Sequence, residues 1–426
     1  MALKKSCTKI ITKFDECAGT RAREIYLREF ENYRFLQSNI LDNIIEEVET
    51  HHLTSWRVGI YMGLSIPLLI NAIMIDPNNR LPTFDMNIQI YACFALPIIF
   101  CLGFGANIVI WNRAQINYRY IFELDLDDTV DFQQFLEHSF ILQLPALFLF
   151  LLIQIIYLDF SGMIPNLSQW FPAIYFCIVS TILLCPFPIL YRSSRWWLIR
   201  TMVRILLSGF LQVEFCDFFM ADGLASISYS FWTFGYFICT YYNHTYDIVN
   251  VCNIPHMWMA PFVAALPAWW RLMQCLRRYC DSRQYFHLVN AGKYFVSILT
   301  SIMVGPKRII DIPATKFAWI AISVSSSIYS LIWDLVMDWN LFTQNRRLRN
   351  NLVFQRWVYY FAIISNTFLR FIWIITLGSS TTLAFVAALL EMCRRIQWNI
   401  FRLENEHLHN NTDLFGVNSE CAPKIS

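Results

Sequence analysis

Charge is the scarce ingredient of this chain. Asp, Glu, Lys and Arg supply 15% of its 426 residues, where soluble domains run near a quarter. That shortage excludes an ordinary water-exposed globule, and a mean hydropathy of +0.41 agrees. The 13 cysteines include no CxxC pair, which argues against a metal site. No HExxH, P-loop or nucleophile elbow occurs, and no nucleophile–base pair suggests an enzyme. Gly103-Phe-Gly105 lies inside a helical run and lacks the strand context of a nucleotide loop. No basic soluble face points to nucleic acid. No cleavable signal peptide is visible, because the first apolar segment starts near Trp56, behind a polar lead too long for one. Neither a metal nor a cofactor is expected.

What is present is apolar: 56% of residues are hydrophobic and 17% aromatic. Several stretches near 20 residues long carry few charges, the length that crosses about 30 Å of hydrocarbon. They are continuously apolar rather than alternating, which excludes a β-barrel. The class is an all-α polytopic membrane protein. Ten spans are predicted, over 55–75, 88–111, 138–158, 170–190, 219–241, 256–275, 288–304, 317–337, 356–377 and 381–400. The third, LQLPALFLFLLIQIIYL, is apolar all round and free to face lipid. Residues 1–54 are polar and cytosolic in character, with helical spacing from Ser38 to Glu49. Residues 406–426 form a polar tail.

The loops give the orientation. With the N-terminus inside, the inner loops collect Arg113, Arg192, Arg195, Arg200, Arg204, Arg277, Arg278, Arg283, Arg346 and Arg347, and the outer loops far fewer cations. That asymmetry predicts N-in and C-in. The sequons at Asn166 and Asn243 fall outside in the same scheme, and the one at Asn410 falls inside. Cys239 and Cys252 also land outside, as a disulfide or as two small hydrophobes.

Charges inside the spans are unevenly shared. The first four helices, within 55–209, form an apolar scaffold. Residues 210–405 hold Asp222, Arg271, Lys293, Asp334, Asp338, Arg370, Glu391, Arg394 and Arg395. A charge at a helix centre costs about 2.5–3.5 kcal/mol on insertion scales, so such residues pair or line a wet path. Five cations against four carboxylates leave a positive balance, and guanidinium forks suit an oxyanion. Glu391 shares a helix face with Arg394 and Arg395. Trp373, three residues after Arg370, stands as a gate or as packing. Arg271 either meets an anion or holds Asp222. Asp334 and Asp338 line the path or are interfacial, and Arg394 and Arg395 line it or anchor the helix end.

The runs PAWWRLMQCLRRYCDSRQYFHLVNAGKY, LIWDLVMDWNLF, LRFIWII and EMCRRIQWNIFRLENEHL resemble the EXS domain. That is the domain of the phosphate exporters related to the xenotropic and polytropic retrovirus receptor and to the Syg and Erd proteins of yeast. The likeness covers about residues 210–410, and FCDFFMADGLAS and WNRAQINYRYIFEL extend it upstream. By motif match it implies a phosphate pathway of Asp222, Arg271, Lys293, Asp338, Arg370, Arg394 and Arg395, gated by Trp373 and Glu391. Ala225 stands where the receptor-type motif has an asparagine that helps hold phosphate, which implies a weaker site. CTKIITKFDE resembles the end of an SPX domain, which senses inositol pyrophosphates through a lysine cluster. Lys9 and Lys13 match that cluster, whereas Thr12 and Glu16 stand where lysines are expected.

The resemblance implies export of inorganic phosphate across the plasma membrane. Its alternative is a Golgi protein of the Erd type acting in retention, trafficking or luminal phosphate recycling. Expected partners are phosphate and the lipid bilayer, then inositol pyrophosphates and a second copy of the chain, and no nucleic acid.

Overall fold

The computed structural model describes residues 53–75, 84–122, 138–187, 190–242, 252, 259–310, 312–342, 348–349, 352–378 and 381–420. The chain divides into Met1–Arg57 and Val58–Ser426, and the packing below belongs to the second unit. Lys9, Lys13, Ser38 to Glu49 and Asn243 lie outside the described residues.

The helices are α1 (Leu53–Met74), α2 (Phe84–Arg113), α3 (His138–Phe160), α4 (Phe171–Leu184), α5 (Arg192–Leu206) and α6 (Phe215–Ser226). After these come α7 (Ser228–Tyr242), α8 (Met259–Ser282), α9 (Phe286–Ile309), α10 (Pro313–Trp333), α11 (Arg356–Arg370) and α12 (Thr381–Glu420). Seven helical stretches are long and apolar enough to cross a membrane: Leu53–Met74, Asn87–Arg113, Leu142–Phe160, Pro165–Leu184, Phe286–Ile309, Pro313–Asp338 and Arg356–Leu377. The chain is an all-α polytopic membrane protein. The remaining three predicted spans fall outside that set for visible reasons. The expected helix 219–241 breaks at Ile227 into α6 and α7. Meanwhile α8 and α12 work charged and polar residues into their apolar runs.

Two further expectations are corrected. The arginines of 192–204 do not sit in a loop but on α5. Its buried Arg195 gathers the carbonyls of Ile182, Cys185 and Leu190 at 2.5, 2.8 and 2.9 Å, so a fixed cation caps the end of α4. The third span does not simply face lipid. Half of the apolar window of α3 is buried, with Leu144, Leu152 and Ile155 packed in the main core beside α2.

Aromatic rings fill the seam among α2, α6 and α12. Phe104 meets Trp111 at 5.6 Å between centroids, Phe122 meets Phe219 at 5.3 Å, and Phe219 meets Trp398 at 6.0 Å. Edge and tilted contacts of this kind add to burial. Gly103 is explained here. A Cβ at that position would collide with Ile396 Cδ1, so the glycine lets α12 lie against α2. Gly223 plays the same part on α6, where a Cβ would meet the Phe100 ring at 2.8 Å.

Candidate functional site

The charged residues of α6 and α8 to α12 meet in one contact network. It starts at Asp222 on α6, 4% exposed. Arg271 Nε donates to Asp222 Oδ1 at 2.8 Å, and the Tyr294 hydroxyl donates to the same oxygen at 2.5 Å. Arg271 also reaches Gln274 Oε1 at 2.7 Å, and Gln274 donates to the Asp217 carbonyl at 3.2 Å. Arg271 therefore holds Asp222, one of the two readings left open by sequence.

Beside Tyr294, Lys293 is 7% exposed and has no carboxylate in ion-pairing distance among the described residues. Its ammonium lies over two rings, 4.4 Å from the Tyr294 centroid and 5.1 Å from that of Trp333. Asp338 organises this part. Its two oxygens accept the indole N–H groups of Trp333 at 3.1 Å and Trp398 at 3.2 Å. Trp398 in turn carries Arg395 over its ring at 4.4 Å. One carboxylate thus orients two indoles, and each indole face bears a buried cation.

From Arg395 the network closes through Ser226, whose hydroxyl accepts Arg395 Nε at 2.8 Å and donates to Glu391 at 3.3 Å. Glu391 takes Arg394 by two bonds, at 2.6 and 2.8 Å. Arg394 then reaches Asp334 Oδ2 at 3.4 Å and Asn366 Oδ1 at 3.2 Å. Asp334 Oδ2 also accepts Arg370 Nε at 3.0 Å and Nη2 at 2.6 Å. The interfacial reading of Asp334 is corrected, because it is 1% exposed and pairs with two arginines.

Local geometry explains how residues four apart serve different parts of this network. Asp334–Asp338 is a π turn that ends α10, closed by Trp339 N–H on the Asp334 carbonyl at 2.9 Å. The wider turn separates Asp334, which faces α11 and α12 arginines, from Asp338, which faces the indoles. Such turns recur at functional sites. Trp373 sits on the 3₁₀ segment Ile372–Leu377 that continues α11.

The network joins Asp222, Arg271, Lys293, Asp338, Arg370, Glu391, Arg394 and Arg395, all singled out by sequence. Sequence reasoning missed Tyr294, Ser226, Asn366, Trp333 and Trp398, and it undervalued Asp334. A buried amide in the apolar run FAIISNTFLR was the available signal for Asn366. The aromatic pair had none, since rings are common throughout. Elsewhere, the structure joins Cys239 to Cys252 by a disulfide across 6.0 Å between Cα atoms, and Asn166 is exposed.

Comparison with known proteins now bears on this arrangement. The EXS family profile matches residues 87–408, reaching upstream of residue 210 into α2 to α4. The chain belongs to the EXS family. Similar members include the SPX and EXS domain-containing protein 3 of Dictyostelium discoideum, 34% identical over 343 residues, which cover 76% of this chain and 37% of that protein. Phosphate transporter PHO1 of Arabidopsis thaliana is 29% identical, over 95% of this EXS chain and 57% of its own length. Protein SYG1 of Saccharomyces cerevisiae is 32% identical, over 91% and 46%. This EXS chain therefore spans between 37% and 57% of the length of these relatives.

Proposed function

We propose that this chain exports inorganic phosphate from the cytosol along a positively lined path through α6 and α8 to α12. The observation that carries the reading is the pair of buried cations, Lys293 and Arg395, resting on indole faces rather than on carboxylates. A cation–π contact is a modest attraction. An oxyanion with several acceptors therefore competes well for both cations. The named activity of the phosphate transporter relative supports phosphate as that oxyanion.

Ten spans with both ends inside suit this function. The arginines of the inner segments, those on α5 included, support that orientation, as do the Cys239–Cys252 bridge and the exposed Asn166 sequon, which the same scheme puts on the opposite side. A negative interior contributes about 2.3 kcal/mol per charge per 100 mV, which drives an anion outward with no coupled ion. We place the protein in the plasma membrane. Ala225, adjoining Ser226 of the network, favours a second reading as a Golgi protein of the Erd type. Complex glycans on Asn243 and surface labelling separate the two.

The test is phosphate efflux from liposomes carrying this chain alone. Arg370→Ala leaves Asp334 with one fewer cation and is expected to abolish efflux at equal protein level. Arg370→Lys should also fail, since one ammonium cannot reproduce the two-nitrogen contact. Undiminished efflux in Arg370→Ala refutes the path.

A further inference from the structure

The network does not stop at Arg370. Ser327 Oγ donates to the Arg370 carbonyl at 3.0 Å and accepts the Trp373 indole N–H at 3.0 Å. The Trp373 ring stands edge-on to Trp319, 5.2 Å between centroids. Trp319 carries the Lys307 ammonium 3.6 Å from its ring centre. Trp319 is 4% exposed, and its indole N–H has no hydrogen-bond partner among the described residues. Nothing polar fixes this ring, so its seat depends on Trp373 on one hand and on Lys307 on the other. Lys307 itself is half-buried and has no carboxylate in ion-pairing distance among the described residues. Arg308 beside it is likewise spent on a ring, 4.6 Å from Trp232. Along α9, Lys307 lies 14 residues, about 21 Å, beyond Lys293. One helix thus bears a cation on an aromatic face at two levels, Lys293 within the network and Lys307 on the side that the N-in scheme puts outside.

We propose that Lys307 is the latch of the gate. Stacked on Trp319, it braces Trp373; when phosphate binds Lys307, the ammonium leaves the ring and Trp373 loosens. The charge-assisted bond to an oxyanion is stronger than the cation–π contact it replaces, so the anion releases its own barrier. Lys307 is a positioning residue in this scheme, acting on Trp373 through Trp319. The proposal rests on the export reading above and on the reading of Trp373 as gate rather than packing.

The experiment measures labelled phosphate leaving proteoliposomes of the full chain, with and without phosphate outside. Wild-type efflux is expected to accelerate when phosphate is added outside. Lys307→Gln should show basal efflux raised by about 2- to 5-fold, the factor of one partly exposed cation–π contact, and no response to outside phosphate. Lys307→Arg, which keeps a cation over the ring, should restore that response. Trp319→Leu should match Lys307→Gln, and the double variant should be no faster than either single one. Wild-type efflux with Lys307→Gln indistinguishable from it, or additive effects in the double variant, overturns the latch and leaves export standing. No wild-type efflux overturns both. Should Lys307→Gln not fold, the comparison of wild type, Lys307→Arg and Trp319→Leu decides by the same criterion.

Discussion

Asp334 and Asp338 divide the work of holding charge in this protein. Asp334 Oδ2 accepts from Arg370, Arg394 and Asn366, so it neutralises the buried guanidinium of Arg394 and the part-buried one of Arg370. Removing one partner of a buried pair costs about 3–5 kcal/mol, because the other charge is left uncompensated. Asp334→Asn is therefore expected to lower the melting temperature in detergent markedly. Combining it with Arg370→Gln should recover part of the loss, which a double-mutant cycle of melts would detect. Asp338 differs, since its partners are two neutral indoles. Asp338→Asn keeps the shape but loses one acceptor oxygen. Transport should fall more than stability, as efflux and melts on one preparation will show. Much of this cluster was legible, because a charge in an apolar run has few reasons to be there. Asp334 was not, since its spacing from Asp338 read as a shared helix end and no local pattern announced a π turn.

At the scale of elements, irregular geometry sets the positions. Deleting Val336 would restore an α turn and swing Asp338 by about 100° around the helix, away from Trp333 and Trp398. Efflux should be lost while helical content by circular dichroism stays unchanged. Gly103→Leu should overpack the α2–α12 seam at a cost of about 1–3 kcal/mol, and Ile396→Ala should relieve it. Melts of the single and double variants check this. Periodicity and length revealed the long helices well. They could not reveal α5, because its arginines read as a loop until Arg195 is seen bonding the carbonyls at the end of α4. Nor could they reveal the break at Ile227, since SISYS is polar but not a helix breaker of the glycine or proline kind.

For the whole molecule, charge is concentrated in α6 and α8 to α12 while α1 to α4 stay nearly free of it, as the sequence alone indicated. A buried charge there is Asp159, near the end of α3, clasped by Asn87 at 2.7 Å, Tyr91 at 2.9 Å and Ser168. The bridge from α7 to Cys252 closes a separation of 13 residues, worth about 3 kcal/mol in the loop-entropy picture. Reduction, or Cys252→Ser, should lower the melting temperature without changing which ions pass. The cations parked on indoles have a further consequence, for time rather than affinity. On the proposed path, an anion arriving at Lys293 or Arg395 would separate no ion pair, and on leaving it would let each cation fall back onto a ring already in place. Neither step would wait for a buried carboxylate to be re-paired, so short dwell times are expected. Conduction demands sites that are easy to leave as well as to enter, and aromatic faces meet that demand where a carboxylate would hold the cation too tightly.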